Sequence, residues 1–92
     1  MTLAQAIKNL DKAAKDLKKA KDDWDASEKR YRDLFRRVMA TPRELWGTAA
    51  YRQLGDQAFA AQGDTIKKRK AFEKAFKAYV KALMDYFNAL FR

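Results

Sequence analysis

Residues 60–67 read Ala60-Ala61-Gln62-Gly63-Asp64-Thr65-Ile66-Lys67, and whether a helix stops inside this octet decides the architecture. Glycine commonly follows a helix end, and aspartate is a favoured N-cap. Gly63-Asp64 therefore reads as a stop followed by a new start. On that reading the chain forms three helices, over 3–39, 42–62 and 65–91, the middle one broken or bent. Glycine inside a helix costs only about 1 kcal/mol relative to alanine. The alternative is therefore a single rod over 42–91, paired with the first helix as a long antiparallel hairpin.

Upstream of the octet, no glycine or proline interrupts Leu3 to Met39. Apolar residues recur there at Leu3, Ile7, Leu10, Ala14, Leu17, Trp24, Tyr31, Phe35 and Val38. The steps alternate three and four, a coiled-coil-like seam broken only at Lys21 and Glu28. Downstream, the seam runs through Phe72, Phe76, Tyr79, Leu83, Phe87 and Leu90. Between them, residues 41–64 hold the one proline and all three glycines. Thr2-Leu3-Ala4-Gln5 and Thr41-Pro42-Arg43-Glu44 both match the capping box that opens a helix, the second with proline at the first helical position. Strand patterning is absent, and β-branched residues are few. The fold class expected is all-α, a single helical domain over 1–92. The three-helix bundle is preferred, because it sets Phe72–Phe91 against Trp24, Tyr31, Leu34, Phe35 and Val38. It also brings Lys67, Lys68 and Lys70 near Asp22, Asp23, Asp25 and Glu28.

The composition narrows function mainly by exclusion. The chain has 92 residues with 48% hydrophobic content, enough for one small core. It contains neither cysteine nor histidine, so thiolate and imidazole chemistry are both absent. Asp22, Asp23, Asp25, Glu28 and Asp33 form the only dense carboxylate group, and no histidine stands by to complete a bundle-type metal site. Ser27, the one serine, has no base near it in sequence, and Gly47, Gly55 and Gly63 do not make a phosphate-binding loop. No enzyme activity, metal, cofactor or small-molecule substrate is expected. No apolar run is long enough to span a bilayer, and no secretory leader is evident, so a cytoplasmic or other intracellular location is expected.

Two surface features remain. The apolar arc of the third helix covers roughly 160° at 100° per residue, wider than one seam requires. The first turns of helix one carry Leu3, Ile7, Leu10, Ala14 and Leu17, an arm that overhangs in the three-helix arrangement. The expected interface with a protein partner, or with a second copy in a homo-oligomer, is Leu3, Ile7, Leu10, Leu17, Tyr79, Leu83, Phe87, Leu90 and Phe91.

Opposite these faces lie two lysine stripes, Lys8, Lys12, Lys15 and Lys19 on helix one, and Lys67, Lys70, Lys74, Lys77 and Lys81 on helix three. Glu73 can pair with Lys77 and Asp85 with Lys81. With a net charge of +9, the stripes suit an anionic partner. The first functional expectation is a non-catalytic adaptor, inhibitor or assembly subunit. The alternatives are a nucleic-acid-binding protein of low sequence specificity using the lysines, and a peripheral binder of anionic membranes through the C-terminal amphipathic helix. Small, charged chains without Cys or His are also typical of mobile-element accessory proteins, an association of composition alone. Trp46-Gly47 lacks the intervening residue of the Trp-x-Gly turn found in small secreted helical-hairpin proteins, and no family is assigned on it.

Overall fold

The computed structural model describes Met1–Phe91 and contains two long helices, α1 over Leu3–Ala40 and α2 over Ala49–Leu90, joined through one 3₁₀ turn at Arg43–Leu45. No strand occurs among the described residues. The first start signal forms as expected. Gln5 N–H donates to Thr2 Oγ1 at 3.2 Å, and Thr2 N–H donates back to Gln5 Oε1 at 3.1 Å. Two otherwise orphaned donors are satisfied reciprocally.

The second start signal does not open a helix. Thr41 Oγ1 donates to the Arg37 carbonyl at 2.7 Å, so its hydroxyl closes α1 instead. Pro42 then leads only into the 3₁₀ turn, with no side-chain cap. The cap of α2 is Thr48, whose Oγ1 accepts from Tyr51 N–H at 3.2 Å and donates to the Leu45 carbonyl at 2.7 Å. The helix expected from residue 42 therefore begins at Ala49.

At Gly63 the expectation of a helix stop is also corrected, because α2 runs through it without interruption. None of the glycines has a positive φ. Asp64 does not cap; its Oδ2 accepts from Ser27 Oγ of α1 at 2.8 Å. Thr65 Oγ1 donates to the Ala61 carbonyl at 3.0 Å, the back-bond of a threonine inside a helix. The octet is helix interior. The separate middle and third helices are one element, and the chain takes the two-helix alternative.

Contacts fall into two compact units. One holds the turn and comprises Asp23–Lys68; the other comprises Met1–Asp22 with Arg69–Arg92. In the turn unit, Leu34, Ala58 and Ala61 are buried together, with Tyr31, Val38 and Leu54 packed on them. Leu34, Tyr31 and Val38 thus meet the first half of α2, not Phe72–Phe91 as the three-helix arrangement required. Ser27 is buried in the same unit, and its hydroxyl also lies 2.9 Å from Thr65 Oγ1.

In the unit of the two ends, the least exposed positions on α1 are Ala6, Leu10, Ala13, Leu17 and Ala20. On α2 they include Phe72, Ala75, Tyr79, Ala82, Tyr86 and Ala89. Both sets step by three and four and alternate large with small, which lets side chains interdigitate while the backbones stay close. The Leu3–Leu17 arm is not left bare, because the continuous α2 supplies the same unit with its second half. Ion pairs among the described residues are Arg32–Glu28 at 3.1 Å and Arg69–Glu73 at 3.9 Å, both one turn apart on exposed surface. Such pairs contribute little. Glu73 pairs with Arg69 instead of Lys77. No pairing of Lys67, Lys68 or Lys70 with Asp22, Asp23, Asp25 or Glu28, nor of Lys81 with Asp85, occurs among the described residues.

Candidate interaction surface

Heptad spacing on α2 is used twice in its second half. The inner row, Phe72, Ala75, Tyr79, Ala82, Tyr86 and Ala89, belongs to the partly buried seam described above. A second row, Phe76, Val80, Leu83, Phe87 and Leu90, follows the same four-three rhythm about a quarter-turn further round. This outer row is largely in solvent. Phe76 is 50% exposed and Phe87 46%, with Val80 and Leu90 also exposed and Leu83 half-buried. Met84 and Phe91 widen the same side, and Phe91 reaches 81%. Phe87 and Phe91 stack one turn apart, their ring centroids separated by 6.5 Å. Soluble monomers rarely leave contiguous apolar patches of more than a few hundred Å² in water.

The expected interface residues divide between the two rows. Phe87, Leu90 and Phe91 stand exposed on the outer side, with Leu83 half-buried among them. Tyr79 is half-buried in the inner seam, as are Leu10 and Leu17 on α1. Leu3 and Ile7 are exposed beside Ala6, which has no solvent exposure. With no exposure left at Ala6, a larger side chain there would have to displace its neighbours.

All nine lysines of the two stripes are exposed, and none joins an ion pair among the described residues. Charge is concentrated in the unit of the two ends. It carries 12 of the 21 basic and 5 of the 12 acidic residues, hence +7 of the net +9. Lys12, Lys74 and Lys81 come together along an open groove of about 530 Å³ floored by Ala13, Ala71, Ala75, Ala78 and Ala82. Asp16 and Asp85 line that groove as well, which dilutes its attraction for a phosphate. Among the described residues, no group of three or more potential metal ligands gathers. No helix of the structure is long and apolar enough to cross a membrane.

A second exposed apolar group, missed in the sequence, sits in the turn unit. Leu45 and Trp46 are about half exposed, with Arg43 5.5 Å from the Trp46 ring centre and Tyr51 stacked on it at 6.2 Å. Trp46 Nε1 donates to the Thr41 carbonyl at 3.1 Å, so the indole also braces the turn. Phe59, 77% exposed on α2, was likewise hidden by its isolated place in the sequence pattern.

Comparison with known protein families, with curated proteins and with solved structures finds no match to the chain.

Proposed function

We propose that this protein is a non-catalytic helical interaction protein, an adaptor, inhibitor or assembly subunit, acting through the outer apolar row of α2. The single observation that carries this reading is the second four-three row, Phe76 to Leu90, left in water beside a first row already used within the fold. Large exposed aromatic side chains at helical spacing are the anchors that helix-in-groove and helix-bundle contacts employ. Among the described residues no group of metal ligands gathers, and the sequence holds no cysteine or histidine, so recognition and not bond chemistry is the function proposed.

A photo-crosslinking amino acid placed at Phe87, in cells making the protein, tests this directly. A discrete protein adduct is expected from position 87 and none from the solvated control position Lys15. Failure to form a protein adduct at 87 overturns the reading.

The second reading is low-specificity nucleic-acid binding, favoured by the +7 charge of one unit and by lysines that join no ion pair among the described residues. Lys70→Gln combined with Lys74→Gln should then weaken DNA or RNA binding and flatten its salt dependence, since each phosphate contact releases counterions. An unchanged affinity and salt slope would remove it.

A further inference from the structure

We infer that the occupant of the outer row is a second copy of this chain, α2 against α2 in antiparallel orientation, with the two-fold axis near Leu83. This inference rests on the proposed function above and names the partner. Three observations carry it.

The first is symmetry. A two-fold contact requires that if residue i meets residue j, then j meets i. Phe76 and Leu90 each lie seven residues from Leu83, while Val80 and Phe87 lie three and four away. Reversing the helix about Leu83 therefore lays the row on itself, Phe76 opposite Leu90 and Val80 opposite Phe87.

The second is the distribution of charge along α2. Residues 67–81 contain Lys67, Lys68, Arg69, Lys70, Lys74, Lys77 and Lys81 against Glu73 alone, whereas Met84–Phe91 contain only Asp85. A parallel pair would hold the two lysine-rich segments level with each other, at a cost in like-charge repulsion. Reversed about Leu83, only the stretch from Phe76 to Leu90 overlaps its copy, so Lys67, Lys68, Arg69 and Lys70 extend past the end of the partner helix and the two lysine-rich segments lie apart. Between the two directions of self-pairing, charge thus favours the antiparallel one.

The third is area. Apart from half-buried Leu83, exposed fractions on this face run from 38% at Val80 to 81% at Phe91. Taking ~200 Å² for a large side chain in the open, the face presents on the order of 600 Å² of apolar surface. Pairing two such faces buries about 1,200 Å² before any polar rim is added, which enters the range of stable specific interfaces. The outer and inner rows are about 90° apart on α2, so a second α2 and the existing α1 can flank it without competing.

The test uses the purified full chain and its lack of native cysteine. Light scattering coupled to gel filtration should give twice the 10.7 kDa chain mass, falling to one chain for Phe87→Glu with helical content retained. Under mild oxidation, Leu83→Cys should crosslink to itself. Phe76→Cys should not, but a mixture of Phe76→Cys and Leu90→Cys should. Self-crosslinking of Phe76→Cys on its own, together with Leu83→Cys, would mean a parallel pair and overturn the inference. A wild-type protein that is monomeric at high micromolar concentration overturns it too, whether or not it binds vesicles of anionic phospholipid; binding them would identify a membrane as the occupant. If such a monomer still gives the Phe87 adduct with a different protein in cells, the inference fails and the proposed function stands. If no protein adduct forms, both fail.

Discussion

Replacing Gly55 and Gly63 with alanine tests the continuity of α2 by the sign of the effect. Neither glycine has a positive φ, and a Cβ built on either meets nothing within 4 Å, leaving aside the local helix backbone. Alanine restricts the unfolded chain more than glycine does and is favoured in a helix interior by roughly 0.8–1.0 kcal/mol. Each substitution should therefore stabilise by about 0.5–1 kcal/mol. The two sites are about 12 Å apart along the helix axis, far enough for their effects to add, to about 1–2 kcal/mol together. For a chain of this size each kcal/mol raises Tm by roughly 4–8 °C. Had the helix stopped at Gly63 with that residue in the left-handed region, alanine would cost about 1–2 kcal/mol instead. The assay is thermal and urea unfolding followed by circular dichroism, at one fixed protein concentration, because association would shift the apparent stability. An unchanged urea m-value shows that the gain lies in stability and not in the extent of unfolding. A lower Tm for Gly63→Ala alone would refute the reading of residues 60–67 as helix interior.

Three further expectations follow from individual contacts. Ala82→Leu forces extra volume into a buried position that is 8% exposed and should cost about 1–3 kcal/mol in urea unfolding, while Met84→Ala, two residues on and 60% exposed, should cost well under ~1 kcal/mol at concentrations where the chain is monomeric; equal costs would show that the rows are misassigned. Thr48→Ala removes the N-terminal side-chain cap of α2 and should lower stability by about 1 kcal/mol, with Thr48→Asp restoring most of it; an unaffected Tm in Thr48→Ala would place the start of the helix elsewhere. Ser27→Ala should cost less than ~1 kcal/mol, because Asp64 is exposed and can turn to water while Thr65 keeps its bond to the Ala61 carbonyl; a loss above ~2 kcal/mol would mean the hydroxyl pair fixes the register of the two helices.

The sequence made the fold class and one helix terminus plain, and misled at the points where local signals competed with packing. Thr2 and Gln5 paired as expected because nothing else contends for an exposed chain end. Thr41 has the side chain of a cap, but its hydroxyl donates to the carbonyl of Arg37, and a proline follows. Gly63-Asp64 has the composition of a stop. There, packing overrode propensity, since the buried Ala58, Ala61 and half-buried Thr65 keep the three-four rhythm across the glycine. A penalty of about 1 kcal/mol is easily outweighed by a seam that continues on both sides. The site was half legible: the excess apolar arc was visible as a width, but which row faced inward was not.

That second ambiguity has a definite physical origin. Each inward face pairs a bulky line (Leu10, Leu17, Tyr31 and Val38 on α1; Phe72, Tyr79 and Tyr86 on α2) with a line of small residues, and it is the small line that a bulkier neighbouring row hides in the sequence. On α1 the bulky row, Ile7, Ala14, Lys21, Glu28 and Phe35, is interrupted by charges at its centre. The row beside it, Ala6, Ala13, Ala20, Ser27 and Leu34, carries no charge over the same span, and every member is buried or half-buried. A seam's continuity is thus better read from the absence of charge than from side-chain size, because one buried unpaired lysine outweighs several lost methyl groups. The same test applied to α2 admits both rows after Arg69, since neither Ala75, Ala82 and Ala89 nor Phe76, Leu83 and Leu90 is interrupted. A helix with two unbroken rows about 90° apart has room for two neighbours. One of them is α1; the other is what the cysteine crosslinks at positions 76, 83 and 90 are designed to identify.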